Sequence, residues 1–252
     1  MRKKNAIVKK IAIVGVVLAL TAYLIYAVVF LSRKASAERI CTEVQIELKS
    51  TPENDYLSEK DIVKYLTSKQ LYPVGKTGKA IQTDSIEKTL QASKFVADAE
   101  VYKTIGGSVK IKITPRTPIL RVIAEGKNYY VDDKGGIMPV PPDFAAYVPV
   151  ATGNVKEAFA KRELYNFVVY LQHDRFWNTQ IEQINVLPNL DVELIPKIGD
   201  HTILLGKIAD YRENLDKLQL FYEKGLNKVG WNRYSAINLK YKNQVVCTKK
   251  TV

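Results

Sequence analysis

A few short stretches hold the residue types from which catalysis or metal binding is built, and spacing decides each of them. Gly75-Lys76-Thr77 ends like a phosphate-binding loop, in which glycine-rich backbone and a lysine cradle nucleotide phosphates. That loop requires a glycine five residues before Gly75, where Gln70 stands, and no helix cap follows at once. His173 and His201 are the only histidines, and neither has a second histidine or a cysteine at ligand spacing. His173 falls near the end of a helical stretch, where capping the last carbonyls is the simpler use. Asp132 and Asp133 could form an acid pair, but beside Lys134-Gly135-Gly136 they read as a solvated hairpin turn. No Gly-x-Ser-x-Gly elbow, Ser-x-x-Lys set or cysteine–histidine pairing supplies a nucleophile. The expectation is a non-enzymatic chain with no cofactor and no metal. Cys41 and Cys247 do not make a disulfide framework and read as two independent thiols.

The elements around these residues fall into two groups. Thr42 to Leu48 alternates as a strand, with Val44, Ile46 and Leu48 on one face. Ser58 followed by Asp61 marks a helix start, and Ile62, Val63, Tyr65 and Leu66 supply its buried stripe. Lys69 to Lys79 is a loop. A second short helix is expected from about Asp84, with Glu87 at the capping-box position. Two strands come next, Val96 to Thr104 and Val109 to Thr114, joined by a tight turn at Ile105-Gly106-Gly107-Ser108 and closed by Pro115. This β-α-α-β-β order over 42–114 predicts a small two-layer α+β unit.

Beyond it the pattern changes. Strands are expected at 118–124, 128–131, 181–187, 190–195 and 202–205, the last closed by Gly206. Met138 to Pro142 and Tyr147 to Gly153 read as proline-rich edges or loops. Helices are expected at 156–173 and 211–224, the second stopped by Gly225 in left-handed geometry. The chain ends with strand signals at 236–241 and 244–247. The fold class is α+β, the second region being a mostly antiparallel sheet with flanking helices.

Ahead of these elements, Ile11 to Ser32 carries no charge over 22 residues, which as a helix rises about 33 Å. A transmembrane helix at 11–32 is therefore expected, with residues 1–10 as a cytoplasmic tail. Ala35-Ser36-Ala37 has the form of a signal-peptidase site, but the apolar run is too long for a signal peptide, and Arg33 and Lys34 intervene. Arg2, Lys3, Lys4, Lys9 and Lys10 place the N-terminus inside. The chain beyond the span holds 33 Lys and Arg against 26 Asp and Glu, about +7 with the signs interspersed. That is a solvated surface rather than a nucleic-acid stripe.

The order of elements resembles the bacterial division family FtsQ/DivIB. Residues 40–115, with Leu57-Ser58-Glu59-Lys60-Asp61-Ile62 opening the first helix and Val96-Ala97-Asp98-Ala99-Glu100-Val101 after the second, resemble its POTRA domain. Ile113-Thr114-Pro115-Arg116-Thr117-Pro118 resembles the junction into a C-terminal β domain, here 116–252. Tyr130-Val131-Asp132-Asp133-Lys134-Gly135 resembles the family's Val-Asp-x-x-Gly turn, and Ile237-Asn238-Leu239-Lys240-Tyr241 its terminal strand. Asn238 and Lys240 depart from the family's Asp and Arg, and Lys242-Asn243-Gln244-Val245-Val246-Cys247 is similar in style to Bacteroidetes members.

The resemblance implies a bitopic divisome scaffold of the cell inner membrane, with periplasmic domains enriched at midcell. It would bind FtsB-like and FtsL-like proteins and help to regulate the septal peptidoglycan synthase complex. The partner-binding residues expected at the terminal sheet edge are Tyr222, Trp231, Tyr234, Leu239, Lys240, Tyr241, Lys242 and Val245, with core packing the alternative for each aromatic and the favoured reading for Leu239, and the recruitment region is Ser58, Asp61 and Ile62. The rival expectations are a POTRA-type accessory of protein assembly or secretion, and a membrane-anchored cell-wall enzyme.

Overall fold

The computed structural model describes residues 15–30 and 38–250. It divides into two compact units, one of Met1–Lys49 with Ser58–Thr114 and one of Ser50–Leu57 with Pro115–Val252.

In the first unit β1 (Val44–Leu48), α2 (Glu59–Ser68), α3 (Thr83–Gln91), β2 (Val96–Lys103) and β3 (Val109–Pro115) form a sheet of order β1-β3-β2 and two helices. β1 runs parallel to β3, with Ile46 opposite Ile111. Strand alternation places Val109, Ile111 and Ile113 on one face, where Ile62, Leu66, Ile86 and Leu90 are also buried. Each such side chain contributes roughly 1.5–3 kcal/mol by leaving water. α2 begins as its sequence predicts: Ser58 Oγ accepts from the Asp61 N–H, and Asp61 Oδ2 accepts from the Ser58 N–H. Those bonds from Ser58 hold the Asp61 carboxyl below its ordinary range. α3 differs. It starts at Thr83 after Gln82, with no side-chain cap. The cap lies two residues earlier, at Gln82 rather than Asp84, which moves Glu87 out of the capping position, and its carboxylate reaches β2 instead.

The second unit is one nine-stranded sheet, order β12-β11-β10-β9-β8-β7-β4-β5-β6. Its strands are β4 (Pro118–Ala124), β5 (Lys127–Asp132), β6 (Ile137–Pro139), β7 (Val150–Gly153), β8 (Ile181–Val186), β9 (Asp191–Pro196), β10 (Thr202–Lys207), β11 (Tyr234–Asn238) and β12 (Val246–Lys249). Antiparallel ladders join β4–β5, β5–β6, β8–β9, β9–β10 and β11–β12, while β4–β7, β7–β8 and β10–β11 are parallel. The sheet is mixed. Residues 150–153, expected as loop or edge, form an interior strand between β4 and β8.

A helical stretch made of α4 (Glu157–Phe159), a π turn (Ala160–Leu164) and α5 (Tyr165–His173) buries Leu164, Phe167, Val168 and Leu171 against the sheet. α6 (Tyr211–Phe221) adds Leu215 and Leu218. It continues through a π turn (Tyr222–Leu226) and α7 (Asn227–Val229), and Gly230, at φ +95°, ends it rather than Gly225. Gly225 makes room for a ring: a Cβ there would lie 2.8 Å from Phe221 Cδ2.

The Asp132 turn is not solvated either. Asp132 is buried, its Oδ1 accepts from the Lys134 and Gly136 N–H groups, and Oδ2 pairs with Arg116 at 3.3 Å. Asp133 has its carboxyl pushed up, first by burial and then by Asp132.

The expected anchor requires correction. Its described part is a helix over residues 15–30, α1, whose side chains are almost all exposed. Among the described residues no helix is long and apolar enough to cross a membrane. The transmembrane element of the fold class, the bitopic topology, the cytoplasmic N-terminus and the single-pass inner-membrane, periplasmic and midcell localisation are overturned with it. The tail at 1–10 and the ends of the expected span, 11–14 and 31–32, lie outside the described residues.

Candidate functional site

The residues singled out near the C-terminus gather at one end of the large sheet. β10 carries β11 in parallel, and β11 carries β12. Lys250 N–H donates to the Arg233 carbonyl. Alternation along the strand therefore turns the backbone groups of Lys249 and Cys247 away from β11. No described residue hydrogen-bonds that outer side, and β12 ends the strand order. Lys249 lies on β12 and Lys250 directly follows it, while Lys240 and Lys242 follow β11 and line a cleft with residues of β9, β10 and α6.

What holds the edge up is buried. Leu239 is fully buried and donates its N–H to the Leu204 carbonyl. Lys217, from α6, donates to the carbonyls of Leu239 (2.9 Å) and Tyr241 (3.0 Å), and Asn214 Nδ2 donates to the Leu205 carbonyl. Gly206 sits at φ +86° where β10 bulges, so the strand runs through it instead of stopping. Lys240 passes over that glycine and shares Asp191 with Lys207, at 3.5 and 3.0 Å. The hydrogen bond from Lys207 keeps the Asp191 carboxyl below its ordinary range. With Lys242, Asp210 and Glu213, these residues line a shallow cleft of about 340 Å³.

Tyr222 is buried, its hydroxyl 2.8 Å from His201 Nε2 and its ring 4.8 Å from that of Trp231. Trp231 and Tyr234 are half-buried, Tyr234 packing on Phe221. Tyr241 is 49 % exposed, Lys240 and Lys242 are exposed, and Val245 is half-buried. The eight residues thus split into a floor (Tyr222, Leu239) and a rim (the rest). In the first unit, Ser58 and Asp61 form the α2 cap and Ile62 is core.

Sequence reasoning missed Lys217, Asn214, His201 and Asp191. The spacing of Asn214 and Lys217, three apart on a helix face, was the available signal for the first two. His201 is buried with Nδ1 unpartnered, and burial, then Lys250, hold its imidazole below the ordinary range, opposed by Asp200. Cys41 and Cys247 are free thiols, and burial pushes the Cys247 thiol up.

A family model described as FtsQ/DivIB, C-terminal related matches residues 117–248, the sheet that carries this edge. The chain belongs to that FtsQ/DivIB-related family. A second model, the POTRA-like domain, matches residues 39–114. No curated protein matches the chain. This family is one of non-enzymatic scaffolds, and the chain is non-enzymatic on that membership. Among the described residues no group of His, Cys, Asp or Glu could hold a metal ion. Membership supports interactions with division-machinery partners in general.

Proposed function

We propose that this FtsQ/DivIB-related chain is a protein-docking scaffold that receives an extended segment of a partner along the outer side of β12. The open edge carries the reading: outward N–H and C=O groups on a strand ending a sheet accept another strand, with backbone bonds for affinity and side chains for specificity. The rim residues Trp231, Tyr234, Tyr241 and Val245 provide apolar contact, and Lys240 and Lys242 offer charge to an acidic segment. Tyr222 and Leu239 support them from below. FtsB-like and FtsL-like proteins are the partners proposed, and through them the septal peptidoglycan synthase complex. Ser58 and Asp61 at the exposed α2 cap, over Ile62, are proposed as the recruitment surface of the first unit. The domain boundaries proposed are 40–115 and 116–252.

The test is pull-down of FtsB-like and FtsL-like partners by the full chain and by Lys249→Pro, which deletes an outward donor while sparing the β11 ladder. A loss of roughly tenfold in affinity is expected, one backbone hydrogen bond plus disturbed docking. Undiminished capture by a folded variant would sink the proposal.

The POTRA-like match over 39–114 also favours a second reading, an accessory of protein assembly or secretion that holds extended polypeptide on the first unit. Capture of an unfolded client by a chain with Lys249→Pro, undiminished from the parent, is the outcome that favours it.

A further inference from the structure

The outer edge of β2 offers the opposite arrangement to that of β12. Thr104 N–H donates to the Ser108 carbonyl across the turn into β3. Residues an even number away on β2 therefore face β3, and Ala99 and Val101 direct their backbone groups outward. Both are already bonded, by side chains of α3. Glu87 Oε2 accepts from the Val101 N–H at 3.2 Å, and Gln91 Nε2 donates to the Ala99 carbonyl at 3.2 Å. Glu87 and Gln91 stand one helical turn apart, so acceptor and donor meet the strand in the order a neighbouring strand would present. Gln91 also donates to Asp98 Oδ1 at 3.4 Å, which fixes its amide toward the strand.

We propose that Glu87 and Gln91 act as a built-in strand mimic, an autoinhibitory contact that closes the β2 edge of the POTRA-like unit to extended peptides. An unpaired edge is a template for any passing strand, and proteins blunt such edges with charge or cover. Here the cover is specific: one charge-assisted bond and one amide bond take the groups that an incoming strand would use first. The contact is also displaceable, since Gln91 is exposed and Glu87 only half-buried on a nine-residue helix. A peptide gains the edge only by displacing them.

The experiment uses the full chain, isotopically labelled, and a seven-residue peptide of alternating Thr and Val flanked by Lys. Amide exchange is read at Val101, with the Thr104 amide as the control for an intact sheet. In the parent chain the peptide should leave the Ala99–Val101 resonances unmoved. In Glu87→Ala/Gln91→Ala, Val101 should exchange roughly tenfold faster, the worth of one such bond, Thr104 should keep its rate, and the peptide should shift Ala99–Val101. Glu87→Gln, which retains an acceptor oxygen, should accelerate Val101 less than Glu87→Ala. If the double variant also loses protection at Thr104, these two single variants decide by the same ordering. Peptide shifts at β2 in the parent, or equal Val101 rates in the parent, Glu87→Gln and Glu87→Ala chains, overturn the proposal.

Discussion

Two sheet edges in this chain face the same physical problem and are treated in opposite ways. β2 is eight residues long, and its outward groups at Ala99 and Val101 are bonded by Gln91 and Glu87. β12 is four residues long, and no described residue bonds the outward groups of Cys247 and Lys249. A long edge left open is an aggregation hazard, whereas a short one is tolerable and can be kept for a partner. The lesson is that openness has to be read bond by bond. Both strands end their sheets, and besides their length it is the helix beside β2 that tells them apart.

The largest expected effect lies beneath the open edge. Leu239→Ala should cost about 2–5 kcal/mol in urea unfolding, because a fully buried leucine is deleted next to the strand that carries β12. Partner capture should fall with it. A cost under about 1 kcal/mol would mean that β11 and β12 are held by something other than this core.

A proline placed at equivalent outward positions compares the edges directly. Val101→Pro removes the donor used by Glu87 and should cost about 1–3 kcal/mol. Lys249→Pro removes a donor bonded by no described residue and should stay within about 0.5 kcal/mol of the parent. Equal costs at the two sites would erase the distinction drawn between them.

Gly206→Ala should cost about 1 kcal/mol by thermal unfolding. Alanine is strained at φ +86°, and its Cβ would lie 2.7 Å from Cγ and 3.2 Å from Cδ of Lys240, so the stem of that side chain has to move. The variant should also loosen the Lys240 contact with Asp191, seen as weaker salt dependence of partner capture.

The smallest effect is with pH. His201 is held below its ordinary range in the fold, by burial first and Lys250 second, so both states are neutral and stability is full above about pH 6.5. As pH falls below that, the unfolded chain takes the proton first and stability is lost. Tm should decline from pH 7 to 5, and His201→Gln should flatten that decline. The reverse slope would show that Asp200 outweighs burial.

Much of the fold was legible where one local pattern decides it. Val109, Ile111 and Ile113 alternate without interruption, and Ser58 with Asp61 specifies a cap whose bonds close within four residues. Legibility failed where distant residues compete. Glu87 looked like a cap until β2 offered an N–H, and Gly225 looked like a helix stop until Phe221 filled the space above it. Residues 150–153 are too short and proline-flanked to read as interior strand, and it is β4 and β8 that make them one. In the candidate site, aromatic and lysine residues near the terminus could be picked out and Leu239 favoured as core, but nothing local separates Tyr222 in the floor from Tyr241 on the rim.

By itself, then, the sequence determined the order of elements, the faces of the regular strands, the α2 cap and the family likeness, because each depends on neighbours a few residues apart. The tertiary structure alone decided which edge is covered. That depends on Glu87 and Gln91 meeting backbone groups on another element, and on Lys217 reaching the carbonyls of Leu239 and Tyr241 across more than twenty positions of chain. Hydrogen bonds between elements leave no periodicity in the sequence, and so the open and the closed edge look alike until the chain is folded.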